Sequence, residues 1–403
     1  MTNLPQGWEV KTLSEIGEII TGSTPSKSNV EFYGKDYPFF KPSDFEQGYF
    51  LENAGDNLSK LGFGKARQLP PKTILVVCIG SLGKVALTRV IGSCNQQINA
   101  IIPHKNIISE YIYYYCISSK FQSILFSKAP QTTLAILNKT EFSKLEIIYP
   151  KDIKEQERIV GILDFAFSKI DENIKKAKEN LANIDELMQS ALQKAFNPLN
   201  DNTKENYQLP QSWEWKSLGD TSNYGKTSQV KPSQLKGNDW ILELEDIEKE
   251  SGVLLQKVLF QDRQSKSNKI KFNKGDILFG TLRPYLKKVI IADDNGACSS
   301  EIMPFSTGNS ITNHFIYYYL FANFLHDRIS SLTYGARMPR LGTKDGKSLQ
   351  IPLPPLQEQE QIAEHLDFVF EKAKALKELY TKELKDYEEL KQSLLDKAFK
   401  GEL

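Results

Sequence analysis

The chain has 403 residues, 40% of them hydrophobic and 25% charged, with a formal net charge of +1. That composition fits a folded globular protein with mass for two cores and excludes an intrinsically disordered chain. No run approaches the roughly 18 apolar residues of a membrane span, and the first residues lack the regions of a signal peptide, so a cytoplasmic location is expected.

Leu-Pro-Gln-Gly-Trp-Glu-Val-Lys-Thr-Leu over 4–13 is followed by two hydroxyl-rich loops with a lysine, Gly22-Ser-Thr-Pro-Ser-Lys27 and Lys41-Pro-Ser-Asp44. They offer Ser23, Thr24, Ser26, Lys27, Lys41 and Ser43 for phosphate contact. Thr73–Ile79 reads as a buried strand started from the Pro70-Pro71 turn. The next stretch, Gly80-Ser-Leu-Gly-Lys84, is two residues short of a phosphate loop, and Val85 stands where Ser or Thr is required. It is therefore a turn, with Lys84 a candidate DNA contact. Asn95, Gln96 and Gln97 supply amides of the kind that bond adenine edges in two places. The tyrosine run of 110–115 suits a core helix better than a base-stacking platform.

Beyond Pro150, apolar residues at Ile159, Leu163, Ala166, Ile170, Ile174, Ala177, Leu181, Ile184, Met188, Ala191 and Ala195 step by three or four. Neither Gly nor Pro interrupts Leu163 to Phe196, which predicts one helix of roughly 40 residues, near 60 Å at about 1.5 Å per residue. A polar linker, Asn197 to Asn206, leads to Leu-Pro-Gln-Ser-Trp-Glu-Trp-Lys-Ser-Leu over 209–218. Asp276–Gly280 is a second buried strand. The turn after it carries Arg283, Tyr285 and Lys287, and Gly335-Ala-Arg337-Met-Pro-Arg340 adds two more arginines, donors that suit guanine. A second tyrosine run, 314–320, precedes Ile351-Pro-Leu-Pro-Pro-Leu356 and a second seam: Ile362, Leu366, Val369, Ala373, Leu376, Tyr380, Leu384, Tyr387, Leu390, Leu394 and Ala398. Striped helices of this length need a partner, so the two are expected to form a coiled coil. Its interface positions are Ile159, Leu163, Ile170, Leu181, Ile362, Leu366, Val369, Leu384 and Leu394.

The two halves are copies in register. Glu155-Gln-Glu-Arg-Ile-Val-Gly-Ile-Leu-Asp-Phe matches the run from Glu358 to Phe368, and Gln189–Phe196 matches Gln392–Phe399, at offsets of 203. Charge is segregated within each of them. Residues 1–150 carry 15 Lys/Arg against 12 Asp/Glu and residues 209–350 carry 19 against 15, whereas residues 151–208 carry 9 against 11 and 351–403 carry 8 against 12. The basic surplus sits in the two large segments, as a surface meeting phosphates requires.

Catalytic motifs are missing. A base methyltransferase needs a glycine-rich cofactor loop and an Asp/Asn-Pro-Pro-aromatic tetrad, and neither occurs. Glu-x-Lys pairs at Glu383/Lys385 and Glu389/Lys391 lie on the predicted coil as solvated charge. The histidines are not repeated between halves, and Cys78, Cys94, Cys116 and Cys298 form no Cys-x-x-Cys pair, so neither a metal site nor a disulfide framework is expected.

The paired Leu-Pro-x-x-Trp-Glu-x-Lys-x-Leu openings, Gly22-Ser-Thr-Pro-Ser, Cys94-Asn-Gln-Gln-Ile-Asn, Gln131-Thr-Thr-Leu, Gly275-Asp-Ile-Leu-Phe-Gly with Leu282-Arg-Pro-Tyr-Leu, and Ile351-Pro-Leu-Pro-Pro-Leu-Gln-Glu-Gln resemble the specificity subunits of type I restriction-modification systems. Tyr149-Pro-Lys-Asp-Ile153 departs from the fuller proline pattern. The resemblance implies an α+β chain: two pseudo-symmetric α/β target recognition domains, 1–150 and 209–350, separated by helical regions 151–197 and 351–403 packed as an antiparallel coiled coil, with a linker at 198–208. It adds Gln131 and Thr132 to the DNA-binding candidates. It also implies a non-catalytic, sequence-specific DNA-binding subunit that reads a split asymmetric target and docks modification subunits, two of them, and restriction subunits. S-adenosylmethionine, ATP and Mg are expected only on those partners. The alternatives are a coiled-coil adaptor and a stand-alone modification enzyme.

Overall fold

The computed structural model describes residues 4–129, 135–201, 207–263 and 265–403. The chain separates into two compact units, Met1–Ala177 with Lys382–Leu403, and Lys178–Thr381. Each unit thus combines one mixed region with a segment of each long helix. The first long helix is Ile153–Phe196, 44 residues, and the second is Leu356–Ala398, 43 residues.

The strands of the first unit are β1 (Trp8–Thr12), β2 (Gly17–Thr21), β3 (Tyr33–Phe40), β4 (Phe50–Leu51), β5 (Asp56–Leu58), β6 (Ile74–Val77), β7 (Val85–Thr88), β8 (Ser93–Cys94), β9 (Ile98–Pro103) and β10 (Glu146–Pro150). They form a sheet ordered β2-β9-β6-β7-β4, a sheet ordered β5-β3-β8, and the pair β1-β10. All four residues of β6, Ile-Leu-Val-Val, are buried, because a central strand covered on both faces needs an unbroken apolar run. The pair β1-β10 is antiparallel, with Trp8 opposite Pro150. The copied opening motif is therefore the strand that clasps the residues just before the long helix. Proline fits there because a two-stranded ribbon has edges where no donor is needed.

The second unit repeats that clasp. Its strands are β11 (Glu214–Ser217), β12 (Gln229–Val230), β13 (Trp240–Leu242), β14 (Lys269–Phe272), β15 (Ile277–Gly280), β16 (Val289–Ile291), β17 (Gly296–Cys298), β18 (Ile302–Phe305) and β19 (Gln350–Leu353). β11 pairs antiparallel with β19, and the remaining sheets run β12-β14-β17-β13 and β16-β15-β18.

Both tyrosine runs are core helices, Ser109–Ile117 and Asn313–Tyr319. Tyr111 donates to Ile148 O at 2.9 Å and Tyr319 to Gln350 O at 2.9 Å, so their hydroxyls are satisfied inside the protein. Tyr114 reaches Asp164 at 2.6 Å on the first long helix, and its counterpart Tyr318 reaches Asp367 on the second.

A buried glutamine at the start of each long helix ties it to the loop before its tyrosine helix. Gln156 accepts from Ile108 N at 2.9 Å and donates to Pro150 O at 2.9 Å, while Gln359 accepts from Thr312 N at 3.0 Å and donates to Pro354 O at 2.8 Å. The far ends of the helices are exchanged. Phe399, from the second helix, packs edge-on against Tyr111 and Tyr115 of the first unit, and Phe196, from the first helix, packs on Phe315 and Tyr319 of the second. Likewise Gln392 accepts from Ser119 N, and Gln189 from Asn323 N, both at 3.1 Å. The repeated Gln189–Phe196 and Gln392–Phe399 stretches are these docking ends.

Within each unit the helix segments run antiparallel. In the first, Ile159 and Leu163 share a core with Leu395 and Ala398, and Asp171 pairs with Lys391. In the second, Ile184 and Met188 meet Ala373, Leu192 and Leu366 share a core, and Asp185 pairs with Lys377. Of the expected seam, Ile159, Leu163, Ile170 and Leu366 are buried, whereas Leu181, Ile362, Val369, Leu384 and Leu394 are half-buried. Two expectations are corrected. Leu376 and Leu390 are exposed, and near the helix ends the buried positions are Leu192 and Leu395, one residue beyond the expected Ala191 and Leu394. A straight helix has 3.6 residues per turn, so a stripe read at 3.5 drifts, and here it turns toward the tyrosine helices.

Candidate nucleic-acid interface

In the first unit three sequence-distant pieces converge. Cys78 N donates to Gln97 O at 2.8 Å, Leu137 N to Cys78 O at 2.9 Å, and Ser23 N to Cys94 O at 2.9 Å. The Gly22 loop lies so close to Asn95 that a Cβ on Gly22 would sit 2.1 Å from Asn95 O, so only glycine permits this contact. That closeness lets the Thr24 hydroxyl reach the exposed Gln96 amide. Asn95 and Gln97 turn inward: Asn95 is buried, its Nδ2 donates to Gln97 Oε1 at 2.8 Å, and Gln97 N donates back to Asn95 Oδ1 at 3.1 Å. Gln96 is left as the amide that faces out.

Ser26 and Lys27 are exposed in the same loop, and Ser23 is half-buried. Lys41 pairs with Asp56 and Lys84 with Glu46, whose carboxyl the Lys84 hydrogen bond holds below the usual range. Both ion pairs are exposed enough for phosphate to compete with the carboxylate. Ser43 is exposed at a turn that Asp44 caps by accepting from Lys41 N. Gln131 and Thr132 lie outside the described residues.

The second unit builds the same backbone junction. Thr281 N donates to Glu301 O at 2.8 Å, Leu341 N to Thr281 O at 3.0 Å, and Arg283 N to Pro339 O at 2.7 Å. Thr281, Glu301 and Leu341 stand where Cys78, Gln97 and Leu137 stand in the first unit. This junction joins the two arginine loops that the sequence presented separately. Leu282 bridges Arg340, and Tyr334 bridges Arg340 in turn. Arg283 is exposed in a left-handed conformation, φ 49°, before the short turn Pro284–Leu286, and Tyr285 is exposed beside it. Arg337 is exposed as well, while Arg340 donates to Ser300 O at 2.7 Å. Lys287 is not on this surface: it is buried and its ammonium bonds Asn323. Burial pushes its pKa down, although Glu250, 3.8 Å away, opposes the shift.

Sequence reasoning missed Arg67, whose guanidinium donates to Thr21 O at 2.6 Å beside the Gly22 loop, and the turn Ser299–Glu301. The turn had a readable signal. Cys94 and Cys298, like Ile98 and Ile302, are 204 residues apart, which aligns Asn95–Gln97 with Ser299–Glu301.

The duplicated chain is similar to known proteins. The sequence matches the family described as "Type I restriction modification DNA specificity domain" twice, over residues 5–183 and 210–385. The chain belongs to that family. Among curated relatives it is 40% identical over 176 residues to the type I restriction enzyme HindI specificity subunit of Haemophilus influenzae, covering 42% of this chain and 38% of that one. With the MjaIX specificity subunit of Methanocaldococcus jannaschii it shares 29% over 226 residues, 54% of this chain and 52% of that one. The EcoDI specificity subunit of Escherichia coli matches at 22% over 99% of this chain and 89% of its own length. The chain thus aligns with about half or less of the first two relatives and with most of the third. A solved structure from work on complex assembly and conformational transition of the type I R-M system shares the fold, with TM-score 0.79, 19% identity and full coverage of both chains. The HsdS subunit of Thermoanaerobacter tengcongensis aligns with TM-score 0.55 and 20% identity over 99% of this chain and 98% of that one. No helix among the described residues is long and apolar enough to cross a membrane.

Proposed function

We propose that this chain is the DNA-reading, non-catalytic specificity component of a type I restriction-modification complex, each unit reading one half of a split asymmetric duplex target. Family membership supports specificity, and one observation supports the split. A common backbone junction presents an amide, Gln96, in one unit and three arginines, Arg283, Arg337 and Arg340, in the other. Identical readers would take a palindrome; unlike edges on a common frame take unlike half-sites. Two modification subunits dock on the helices and readers in this reading, and restriction subunits join for cleavage. S-adenosylmethionine, ATP and Mg belong to those partners.

The test has two arms. Duplexes selected by the full chain from a randomised library should contain two different half-sites, with affinity falling as salt rises because phosphate contacts release counterions. Absence of any selected sequence would overturn the reading. The pure chain incubated with labelled S-adenosylmethionine and the selected duplex should transfer nothing, and turnover above background would show a catalytic chain instead.

A further inference from the structure

The turn that the two units share is closed in one and open in the other. In the first, Asn95 and Gln97 satisfy each other, and Gln97 Nε2 also reaches Ile79 O at 3.4 Å. In the second, the same turn is Ser299, Ser300 and Glu301. Ser299 Oγ is buried, the residue only 7% exposed, and has no hydrogen-bond partner. Glu301 is half-buried, and among the described residues its carboxylate meets neither a donor nor a cation. Arginines stand close by in the chain path. Arg340 nevertheless spends a guanidinium N–H on Ser300 O, and Arg283 is tied to Pro339 only through its backbone.

An unpaired carboxylate in a half-buried place loses hydration, and on a surface that meets phosphates it is repelled. A buried hydroxyl without a partner adds a further cost. The carboxylate's cost is offset when a ligand brings an N–H donor to it, whereas the Ser299 hydroxyl is sealed inside the turn. Because Glu301 O accepts from Thr281 N and Oγ1, at 2.8 and 3.0 Å, the carboxylate belongs to the turn that carries Arg283. The ligand is therefore sought in the same groove that Arg283 would enter.

We propose that Glu301 is a base-reading residue that accepts a hydrogen bond from an exocyclic amine, that of cytosine N4 in the major groove. Adenine N6 is the other such amine there, but the adjacent N7 acceptor repels a carboxylate, so cytosine is preferred. The guanine paired with that cytosine offers O6 and N7 to an arginine of the same cluster. This inference rests on the DNA-reading function proposed above and assigns one base pair of the second unit's half-site.

The experiment is duplex selection by the full chain carrying Glu301→Gln, a substitution of equal size that removes the charge and adds donors. Wild type should require cytosine at one position of one half-site. The variant should lose that preference by roughly tenfold or more and move toward adenine, whose donor and acceptor an amide matches. The other half-site must stay unchanged, which certifies that the variant is folded. An unaltered base preference, or equally tighter binding to every duplex with a steeper salt dependence, would overturn the inference, because the carboxylate would then only repel phosphate. Selection of no half-site even by wild type would instead overturn the function on which it rests.

Discussion

The two units differ where they face outward and agree where they hold themselves together. Gln156 and Gln359, Tyr114 and Tyr318 with their aspartates, and Phe399 and Phe196 make the same contacts in each unit. At the shared junction the first unit offers Thr24 and Gln96, and the second offers Arg283, Arg337, Arg340 and Glu301. Core contacts are constrained by volume and by the cost of unsatisfied polar groups, so a duplicated frame has little room to change. An exposed turn held by backbone hydrogen bonds can exchange its side chains freely, since those bonds do not depend on them.

The comparison is most exposed to failure at the exchanged phenylalanines. Phe196→Ala and Phe399→Ala should each destabilise by about 3–5 kcal/mol, the cost of emptying an aromatic core site. Denaturant unfolding measures both, and a large loss for one with little for the other would break the equivalence of the frames.

A pH difference should separate the units next. His326 is buried in the second, with Nε2 2.6 Å from Leu320 O and no partner for Nδ1. Burial pushes its pKa down to about 4, with Lys287 adding to the shift. An unfolded histidine titrates near 6.5, so between those values the unfolded chain holds the proton that the folded chain refuses. Stability is therefore complete above about pH 6.5 and falls by up to about 3 kcal/mol as the pH drops toward 4. Three of the four tryptophans, Trp213, Trp215 and Trp240, lie in the second unit, so tryptophan fluorescence mainly follows its unfolding, and a Trp8→Phe background makes it follow that unit alone. A His326→Gln variant should flatten the slope; an unchanged slope would assign it to other groups.

Arg283→Ala sharpens the comparison at the edge. It should relax base preference in one half-site only, by about 1–3 kcal/mol. Uniform weakening over all duplexes would place Arg283 on phosphate.

The smallest effect is expected on the helices. Asp171→Asn and Asp185→Asn break the exposed pairs with Lys391 and Lys377 and should each cost less than about 1 kcal/mol in thermal unfolding. A larger loss would mean that these charges, and not the apolar seam, hold the helices together.

Much of this architecture was legible from local pattern. Apolar steps of three and four without Gly or Pro specify a long helix wherever it docks, and the run Ile-Leu-Val-Val of β6 specifies a buried strand, because both follow from backbone periodicity. The duplication was visible as repeated words, and the family followed from them. Which residues stand free at the interface was decided by tertiary structure. Asn95, Gln96 and Gln97 are equivalent on paper, yet the hydrogen bonds between Asn95 and Gln97 turn those two inward and leave Gln96 facing out. Lys287 looks like a surface cation until Asn323 and burial claim it. The arginines near 283 and 340 are separated in sequence by more than fifty residues, and only strand pairing through Leu282 and Arg340 brings them to one edge. Sequence encodes periodicity locally, whereas side-chain satisfaction depends on groups far along the chain that only the fold brings within hydrogen-bond reach.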